Sequence, residues 1–267
     1  MGKVPIVVVG AGYAGRRVVT QLADPATMVL GRSSGLDLDT ATALPVALPT
    51  VYRLLYTVPP SPAHMDDVRL ANLLNMLDPL PERFVYISTT GVYGDCGGAI
   101  VDESAALRPV TDRARRRVAA ETQLHAWATR HGVPLYILRV PGIYGPGRLG
   151  IDRIREQRPV VAAAAANPGN RIHVADLVRC CLAALQGDAP GGIYNVGDGD
   201  QRSPTWFTQE VARQAGLPAP PETGPAAASE SRRAATRRMR EELGVMPLYA
   251  NAEDGIRASL AEEAQGS

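Results

Sequence analysis

The chain opens with a continuous run of apolar residues, from Val4 to Val9, in which polar positions do not alternate with apolar ones. Such a run is typical of a strand that is buried on both faces, as in a parallel sheet. Further short apolar runs follow, separated by segments whose apolar residues have helical spacing. The pattern predicts strands at 4–9, 28–30, 52–58, 84–87 and 135–140, and helices at 14–22, 66–77, 113–131 and 175–185. Strands that alternate with helices indicate an α/β fold with a doubly wound parallel sheet.

Three glycines follow the first strand. Gly10, Gly12 and Gly15 are spaced as GxGxxG, and the first predicted helix begins at Ala14. Gly10 permits a tight turn, Gly12 lets the backbone approach a pyrophosphate, and Gly15 lets the helix pack closely on the strand. The first N–H groups of that helix are free to bind phosphate oxygens. Because the motif lies between a buried strand and a helix, it predicts a dinucleotide site.

The end of the second strand indicates which dinucleotide is bound. A site that prefers NAD places an acidic residue there to bind the ribose 2′-hydroxyl, but this chain has Gly31, Arg32 and Ser33. Arg32 and Arg16 can pair with a 2′-phosphate and Ser33 can donate to it, so NADP is predicted over NAD. Alternatively, Arg32 stacks on the adenine. The residues assigned to the cofactor are Gly10, Gly12, Tyr13, Ala14, Gly15, Arg16, Arg32, Ser33, Asp37, Leu38, Thr57, Val58, Pro59 and Pro141.

The regular pattern weakens after Gly145. An alanine run at 162–166 and a proline-rich stretch at 218–225 replace the alternating elements. We therefore expect a dinucleotide-binding Rossmann domain at 1–145 and a smaller mixed lobe at 146–267, placed over the carboxyl ends of the strands where ligands bind in such sheets. The predicted helix at 175–185 is expected to return to the sheet.

Composition excludes several classes of partner. The net charge of the 267 residues is +1, which gives no electrostatic reason to expect nucleic acid. The cysteines Cys96, Cys180 and Cys181 form no disulfide framework, and the four histidines show no metal-binding spacing. No apolar run reaches the ~18 residues that span a membrane, and the amino-terminal run resembles a buried strand more than a signal peptide. The expectation is a cytoplasmic protein without a metal.

Five motifs occur in a recognisable order. They are GAGYAG at 10–15, ISTTGVYG at 87–94, RVPGIYGPG at 139–147, RIHVADL at 171–177 and YNVG at 194–197. In this order the chain resembles the extended short-chain dehydrogenase/reductase superfamily, of the NAD-dependent epimerase/dehydratase type, over about residues 4–200. The resemblance implies a Rossmann fold, a nicotinamide cofactor and an active site between the two lobes.

The resemblance also implies a catalytic Ser or Thr, a Tyr that acts as acid and base, and a Lys four residues after that Tyr. Thr89 matches the hydroxyl position, four residues before Tyr93. The superfamily's K-x-A-A-E ending aligns Arg117 with the lysine, and Arg113 then stands at the tyrosine position. The single lysine of the chain, Lys3, lies far from this helix. The chain is thus identified as an atypical member, with Arg113 and Arg117 in place of the dyad.

Arginine keeps its charge at neutral pH and is a poor proton donor. Arg113 therefore suits the anchoring of an anionic substrate or the stabilisation of developing negative charge. Alternatively, the basic run is a solvated helix face in which Arg117 pairs with Glu121. The proton then comes from Tyr93, from Tyr144 or from a water held by Thr89. Tyr93 either has its pKa lowered by Arg113 beside it or is a packed structural residue.

The sequence is compatible with three functions. The first is an NADP-dependent oxidoreductase of atypical mechanism that acts on a small-molecule substrate. This substrate could be anionic, because Arg113 could bind a negatively charged group. The second is a non-catalytic NADP-binding sensor or regulator, which a missing dyad would suit. The third is a sugar-nucleotide epimerase or dehydratase, which the missing tyrosine disfavours. The helices at 66–77 and 113–131 are amphipathic enough to form a homodimer, as the superfamily commonly does.

Overall fold

The computed structural model describes residues 3–224 and 230–265 of the chain, and a six-stranded parallel sheet lies at its centre. The described strands, in chain order, are β1 (Ile6–Val9), β2 (Met28–Leu30), β3 (Arg53–Tyr56), β4 (Arg83–Thr89), β5 (Ile100–Val101), β6 (Leu135–Val140), β7 (Gly142–Tyr144), β8 (Val160–Val161), β9 (Arg171–His173), β10 (Gly192–Asn195), β11 (Glu222–Thr223) and β12 (Arg233–Ala234). The central sheet has the order β10-β6-β4-β3-β1-β2. Because the chain passes from β1 to β2 on one side and to β3 on the other, the strand order reverses at β1, where ligands bind in open α/β sheets.

Helices cover both faces of this sheet. The described helices are α1 (Tyr13–Leu22), α2 (Val68–Met76), α3 (Asp112–His131), α4 (Ile151–Arg155), α5 (Val174–Gln186), α6 (Pro204–Gln214), α7 (Arg237–Glu241) and α8 (Ala252–Gln265). Ile6 and Val8 pack with α1 and α5, whereas Val7 and Val9 pack with α2 and α3. Successive side chains of a strand point to opposite faces, so a strand covered on both sides needs an uninterrupted apolar run.

The predicted α/β class with a doubly wound parallel sheet is confirmed. Helix α3 begins at Asp112, one residue before the predicted start, and is capped by the hydroxyl of Thr111, which accepts from the N–H of Ala114 at 3.2 Å. The sequence pattern also missed β10, which follows α5 and pairs with β6 at the edge of the sheet. As a result, α5 and β10 both belong with the sheet although they follow residue 145 in the chain.

The remaining elements form a lobe around a separate apolar cluster. Tyr144, Leu149 and Ile154 pack there against Val211 of α6 and Ile256 of α8. His173 ties this lobe to α5, since its Nδ1 accepts from the N–H of Ala175 while its Nε2 lies 3.1 Å from the hydroxyl of Ser259. Burial lowers the pKa of His173 to about 4, which keeps the ring neutral in this linking role.

Two predicted segments of the lobe have different outcomes. The alanine run forms the end of a loop and a short 3₁₀ turn, Ala163–Ala165, and lines none of the cavities discussed below. The proline-rich stretch ends at Pro225, which lies outside the described residues. Among the described helices, none combines the length and the apolar character that crossing a membrane requires.

Candidate active site

The glycine-rich turn after β1 has a geometry that requires two of its glycines. Gly10 has φ +98°, and a Cβ there would lie 2.7 Å from the hydroxyl oxygen of Thr57. A Cβ on Gly15 would overlap the carbonyl oxygen of Gly10, so the close approach of α1 to β1 excludes any side chain. Thr57 fixes the turn by donating its hydroxyl to that same carbonyl oxygen at 2.6 Å. Gly12 differs from both, because a Cβ there would meet no protein atom within 4 Å.

A cleft of about 480 Å³ opens at the carboxyl ends of β1, β2 and β3, and we call it the β1–β3 cleft. Of the predicted cofactor residues, those that line it are Gly10, Gly12, Arg32, Ser33, Asp37, Leu38, Thr57, Val58 and Pro59. The other lining residues were not among those assigned to the cofactor, and they are Ala11, Gly31, Leu36 and Arg69. The open backbone at Gly12, next to the first turn of α1, fits the phosphates of a dinucleotide.

Five predicted cofactor residues do not line the β1–β3 cleft. The ring of Tyr13 lies between the guanidinium groups of Arg17 and Arg148, each 4.0 Å from its centroid, and its hydroxyl donates to the carbonyl of Pro146 at 2.9 Å. Its side chain therefore joins α1 to the loop after β7. Of the other four, Ala14 and Gly15 are buried in α1, and Arg16 is exposed on the same helix. Pro141 lines a small cavity near Asn170.

An ion-pair ladder joins two arginines that line the β1–β3 cleft, Arg32 and Arg69, through Asp39. Asp39 accepts from Arg32 at 2.9 Å and from two nitrogens of Arg69 at 2.7 and 2.8 Å. The hydrogen bonds and charge of Arg69, with those of Arg32, lower the pKa of Asp39. Arg69 also donates to the carbonyl of Pro59 at 3.1 Å. Arg69 could not be identified from the sequence, since it lies in the first turn of α2, far along the chain from the end of β2.

Helix α3 runs antiparallel to β4, which locates the two arginines at the dyad positions. Trp127 contacts Phe84 at the start of β4, with ring centroids 5.8 Å apart, whereas Glu121 accepts from Ser88 near its end at 2.5 Å. Arg113, two turns before Glu121 on the same helix face, therefore lies beyond the end of β4. Its side chain is exposed and makes no hydrogen bond or ion pair with any residue in the described part of the chain.

Arg117 has a different environment although it lies only one turn away. Its side chain is buried, and Nη1 donates to the hydroxyl of Tyr86 and to the carbonyl of Ile87, both at 2.8 Å. The alternative expectation that Arg117 pairs with Glu121 is wrong, because Glu121 binds Arg139 instead, at 2.7 Å. Arg117 thus binds β4 from inside the protein and is not available to a ligand.

Tyr93 belongs to a group of buried side chains that we call the buried network: Ser88, Tyr93, Glu121, Arg139 and Asn195. Arg139 donates to the Tyr93 hydroxyl at 2.9 Å, and that hydroxyl donates to Asn195 Oδ1 at 2.7 Å. The expectation that an arginine at position 113 lowers the pKa of Tyr93 is wrong. Burial raises the pKa of this fully buried phenol, and Arg139, its actual neighbour, offsets only part of the increase.

The other two candidate hydroxyls are separated in the fold. Tyr144 is buried in the lobe cluster beside Phe207 and His173, and burial raises its pKa well above the ordinary value. Thr89 ends β4 and accepts from the N–H of Gly91 at 3.2 Å, so its own proton remains available for a ligand. Four catalytic residues were predicted: Thr89, Tyr93, Arg113 and Arg117. Of these, Thr89 and Arg113 have groups that are free to contact a substrate.

Comparison with known proteins places this geometry in a family. Residues 63–197 match the model of the NAD dependent epimerase/dehydratase family. Mouse (Mus musculus) dTDP-D-glucose 4,6-dehydratase is 28% identical over 138 residues, which is 49% of this chain and 39% of the mouse enzyme. The chain thus matches well under half the length of that relative.

Solved structures extend the likeness over the whole fold. A functionally unknown conserved protein from Silicibacter pomeroyi is 29% identical with a TM-score of 0.78, and the match covers 97% of this chain and 99% of that one. RMD from Pseudomonas aeruginosa, solved with NADPH, is 20% identical with a TM-score of 0.79, and 98% of each chain is covered. UDP-glucuronic acid 4-epimerase from Bacillus cereus, solved with NAD, is 16% identical with a TM-score of 0.73 and covers 98% of this chain and 99% of its own. On the family match, the chain belongs to the NAD dependent epimerase/dehydratase family, within the extended short-chain dehydrogenases/reductases.

Proposed function

We propose that the protein is an NADP-dependent oxidoreductase that interconverts a small carbonyl compound and its alcohol without a tyrosine–lysine dyad. The observation that carries the proposal is the β1–β3 cleft, whose glycine turn and strand ends provide a dinucleotide-sized site at the reversal of strand order. A bound nicotinamide dinucleotide would supply or accept the hydride. Neighbours of the same fold were solved with NAD and with NADPH, which supports a nicotinamide cofactor.

The proposed preference for NADP rests on the residues that follow β2. The side chain of Arg32 is 71% exposed at the rim of the cleft, and Ser33 lines the cleft beside it. A 2′-phosphate at this rim would meet a cation and a hydroxyl donor. The nearest carboxylates, Asp37 and Asp39, are turned to Arg32 as ion-pair partners, at 3.6 and 2.9 Å.

The proposed chemistry uses Thr89 and Arg113. The Thr89 hydroxyl donates to the substrate oxygen, and the charge of Arg113 stabilises negative charge that develops there or anchors an anionic substrate group. Tyr93 is not the proton donor in this proposal, since its hydroxyl is engaged on both sides within the buried network. Thr89 passes its proton to the substrate oxygen as negative charge develops there, and takes one back from a solvent water that donates to its hydroxyl oxygen. We also propose a cytoplasmic location and a homodimer formed through α2 and α3.

The test is a pair of titrations followed by a turnover screen. NADP and NAD are titrated separately by calorimetry, and NADP is expected to bind about tenfold tighter, the worth of one charge-assisted contact. In Arg32→Asp the order should reverse, because attraction of a 2′-phosphate becomes repulsion. Equal or tighter binding of NAD by the unaltered protein would contradict the proposed preference. NADPH consumption with a panel of aldehydes and ketones then tests the oxidoreductase.

A non-catalytic NADP sensor is the second candidate, and one observation favours it. Arg117, at the lysine position, donates its hydrogen bonds to groups inside the protein. Tyr93, in the VYG motif, does the same. Tight NADP binding with no NADPH consumption in the carbonyl panel would move this candidate to first place. Turnover of dTDP- or UDP-sugars would instead support the third candidate, an epimerase or dehydratase.

A further inference from the structure

A segment of the carboxyl-terminal lobe, residues 230–234, lies across the loop that follows β4. Its backbone is fixed at several points. The N–H of Ser231 donates to Asp95 at 2.9 Å, and the carbonyl of Ser231 accepts from the N–H groups of Cys96 and Gly98. On the other side of Arg232, strand β12 pairs with β5. The side chain of Arg232 therefore starts from a well-anchored backbone.

Asn170 adds a second restraint on the same residue. Its side-chain amide donates to the carbonyl of Arg232 and accepts from the N–H of Ala234 at 2.8 Å. The guanidinium group is held as well, because Nη1 donates to the carbonyl of Gly94 at 2.9 Å and to Glu230 at 2.5 Å. A cation with so little freedom is preorganised to bind a ligand at low entropic cost.

The other edge of the Arg232 guanidinium faces the candidate site. A Cβ built on Gly91 would lie 3.7 Å from Nη2 of Arg232 and 3.4 Å from the hydroxyl oxygen of Thr89, so both groups border the same small space. Within the described ranges, neither Nη2 nor the buried Nε of Arg232 has a hydrogen-bond partner. Nη2, which borders the space beside Gly91, can therefore donate a charge-assisted hydrogen bond to a carboxylate or phosphate oxygen.

The carboxylates near this space are engaged, whereas two arginines near it have unengaged donors. Arg113 lies beyond the end of β4 with no partner among the described residues, and Arg232 approaches the same loop from the other lobe. Glu230 occupies only Nη1, on the far edge of the guanidinium. Asp95 is held by backbone N–H groups of Ser231 and Gly97. Arg232 thus provides, next to Thr89, a positive charge whose Nη2 has no partner among the described residues.

We propose that Arg232 anchors an anionic group, a carboxylate or a phosphate, of the substrate, whose reacting carbonyl then lies at Thr89. Arg113 contributes the second positive charge, so the substrate is held by both lobes. The inference rests on the proposed oxidoreductase for the reaction, but the anion site itself does not depend on turnover. The substrate class is a small oxo or hydroxy compound that carries a carboxylate or phosphate.

The experiment measures anion binding directly. NADP-saturated protein is titrated by calorimetry with malonate in one arm and inorganic phosphate in the other, at constant ionic strength adjusted with chloride. The arm with the tighter binding identifies the anion type. Arg232→Ala is expected to weaken the preferred anion by about tenfold or more, which corresponds to loss of one charge-assisted hydrogen bond. Arg237→Ala is the matched control, because it removes the same charge from an exposed ion pair with Glu241 on α7.

Gly91→Ala provides a variant that alters no charge. The added methyl group fits at ordinary contact distances and fills the space between Thr89 and Arg232, so folding is preserved while anion binding weakens about tenfold or more. Absence of anion binding to the unaltered protein would overturn the inference. So would undiminished binding in Gly91→Ala and Arg232→Ala. Failure of NADP to bind would instead contradict the proposed function, and titration of the cofactor-free protein would still decide the anion site.

Discussion

Arginines occupy both the β1–β3 cleft and the buried network, but in opposite environments. In the cleft, the side chain of Arg32 is 71% exposed and its partner Asp39 is 33% exposed. In the buried network, Arg139 and Glu121 are each only 3% exposed and are joined at 2.7 Å. Water can replace the partner of an exposed charge, whereas a buried charge that loses its partner stays unpaired. Changes in the cleft should therefore affect ligand binding, and changes in the buried network should affect folding.

Helix α3 shows the same contrast within one turn. Arg117 is buried and donates to Tyr86 and Ile87, whereas Arg113 is exposed and free of partners in the described structure. Both arginines stand where the superfamily resemblance implies catalytic side chains. The aligned position alone thus did not determine the role, because the role depends on what each guanidinium contacts.

The largest expected effect comes from breaking the buried network. Glu121→Ala would leave Arg139 buried without its carboxylate and would remove the acceptor of Ser88, so the free energy of unfolding should fall by about 3–5 kcal/mol. Urea denaturation at pH 7 measures it. The control is Glu241→Ala, which breaks an exposed pair with Arg237 and should cost less than about 1 kcal/mol. Similar losses of unfolding free energy in both variants would show that the buried ion pair stabilises the fold no more than the exposed one.

The cleft and the buried network differ in how far the sequence predicted them. Gly10, Gly12 and the residues after β2 are local signals, because a turn that binds phosphate imposes its glycines within a few positions. The buried network joins residues of β4, α3, β6 and β10 with Tyr93, which follows β4. Its members lie in recognised motifs, but no single motif indicates which of them pair. Arg139 begins the RVPGIYGPG motif and Glu121 lies in α3. Their ion pair can be recognised only when the helix is packed against the sheet.

The main strands were predictable because, like the glycine-rich turn, they leave a local signal in the sequence. A strand with both faces covered needs a continuous apolar run, so β1 and β6 were visible in the sequence. Strand β10 was missed because Gly192–Asn195 contains no continuous apolar run and the pattern around it had already become irregular. Arg69 and Arg232 were missed because they reach their sites from other elements, across distances that no spacing rule covers.

Tyr93→Phe tests an intermediate effect within the buried network. Removal of the hydroxyl would leave Asn195 Oδ1 and Arg139 Nη1 with fewer partners, which should cost about 1–2 kcal/mol of unfolding free energy. Turnover per folded molecule and NADP affinity should remain close to the unaltered values. Tyr249→Phe is the matched control, since the Tyr249 hydroxyl has no hydrogen bond within the described residues. A loss of turnover of about 10²-fold with unchanged stability would instead identify Tyr93 as the proton donor.

The smallest expected effect lies in the β1–β3 cleft and concerns Asp39. This carboxylate holds Arg32 and Arg69 together, so it also neutralises part of the positive charge offered to a 2′-phosphate. Asp39→Asn should strengthen NADP binding by roughly twofold to fivefold, because exposed ion pairs contribute about 0.2–1 kcal/mol. NAD, which lacks the phosphate, should bind with unchanged affinity, and the gain for NADP should shrink at high salt. Asp152→Asn, which removes an equal charge from an exposed pair with Arg155 on α4, should change neither affinity. Weaker NADP binding in Asp39→Asn would mean that the carboxylate positions Arg32 for the cofactor, and the ladder would then be part of the binding site.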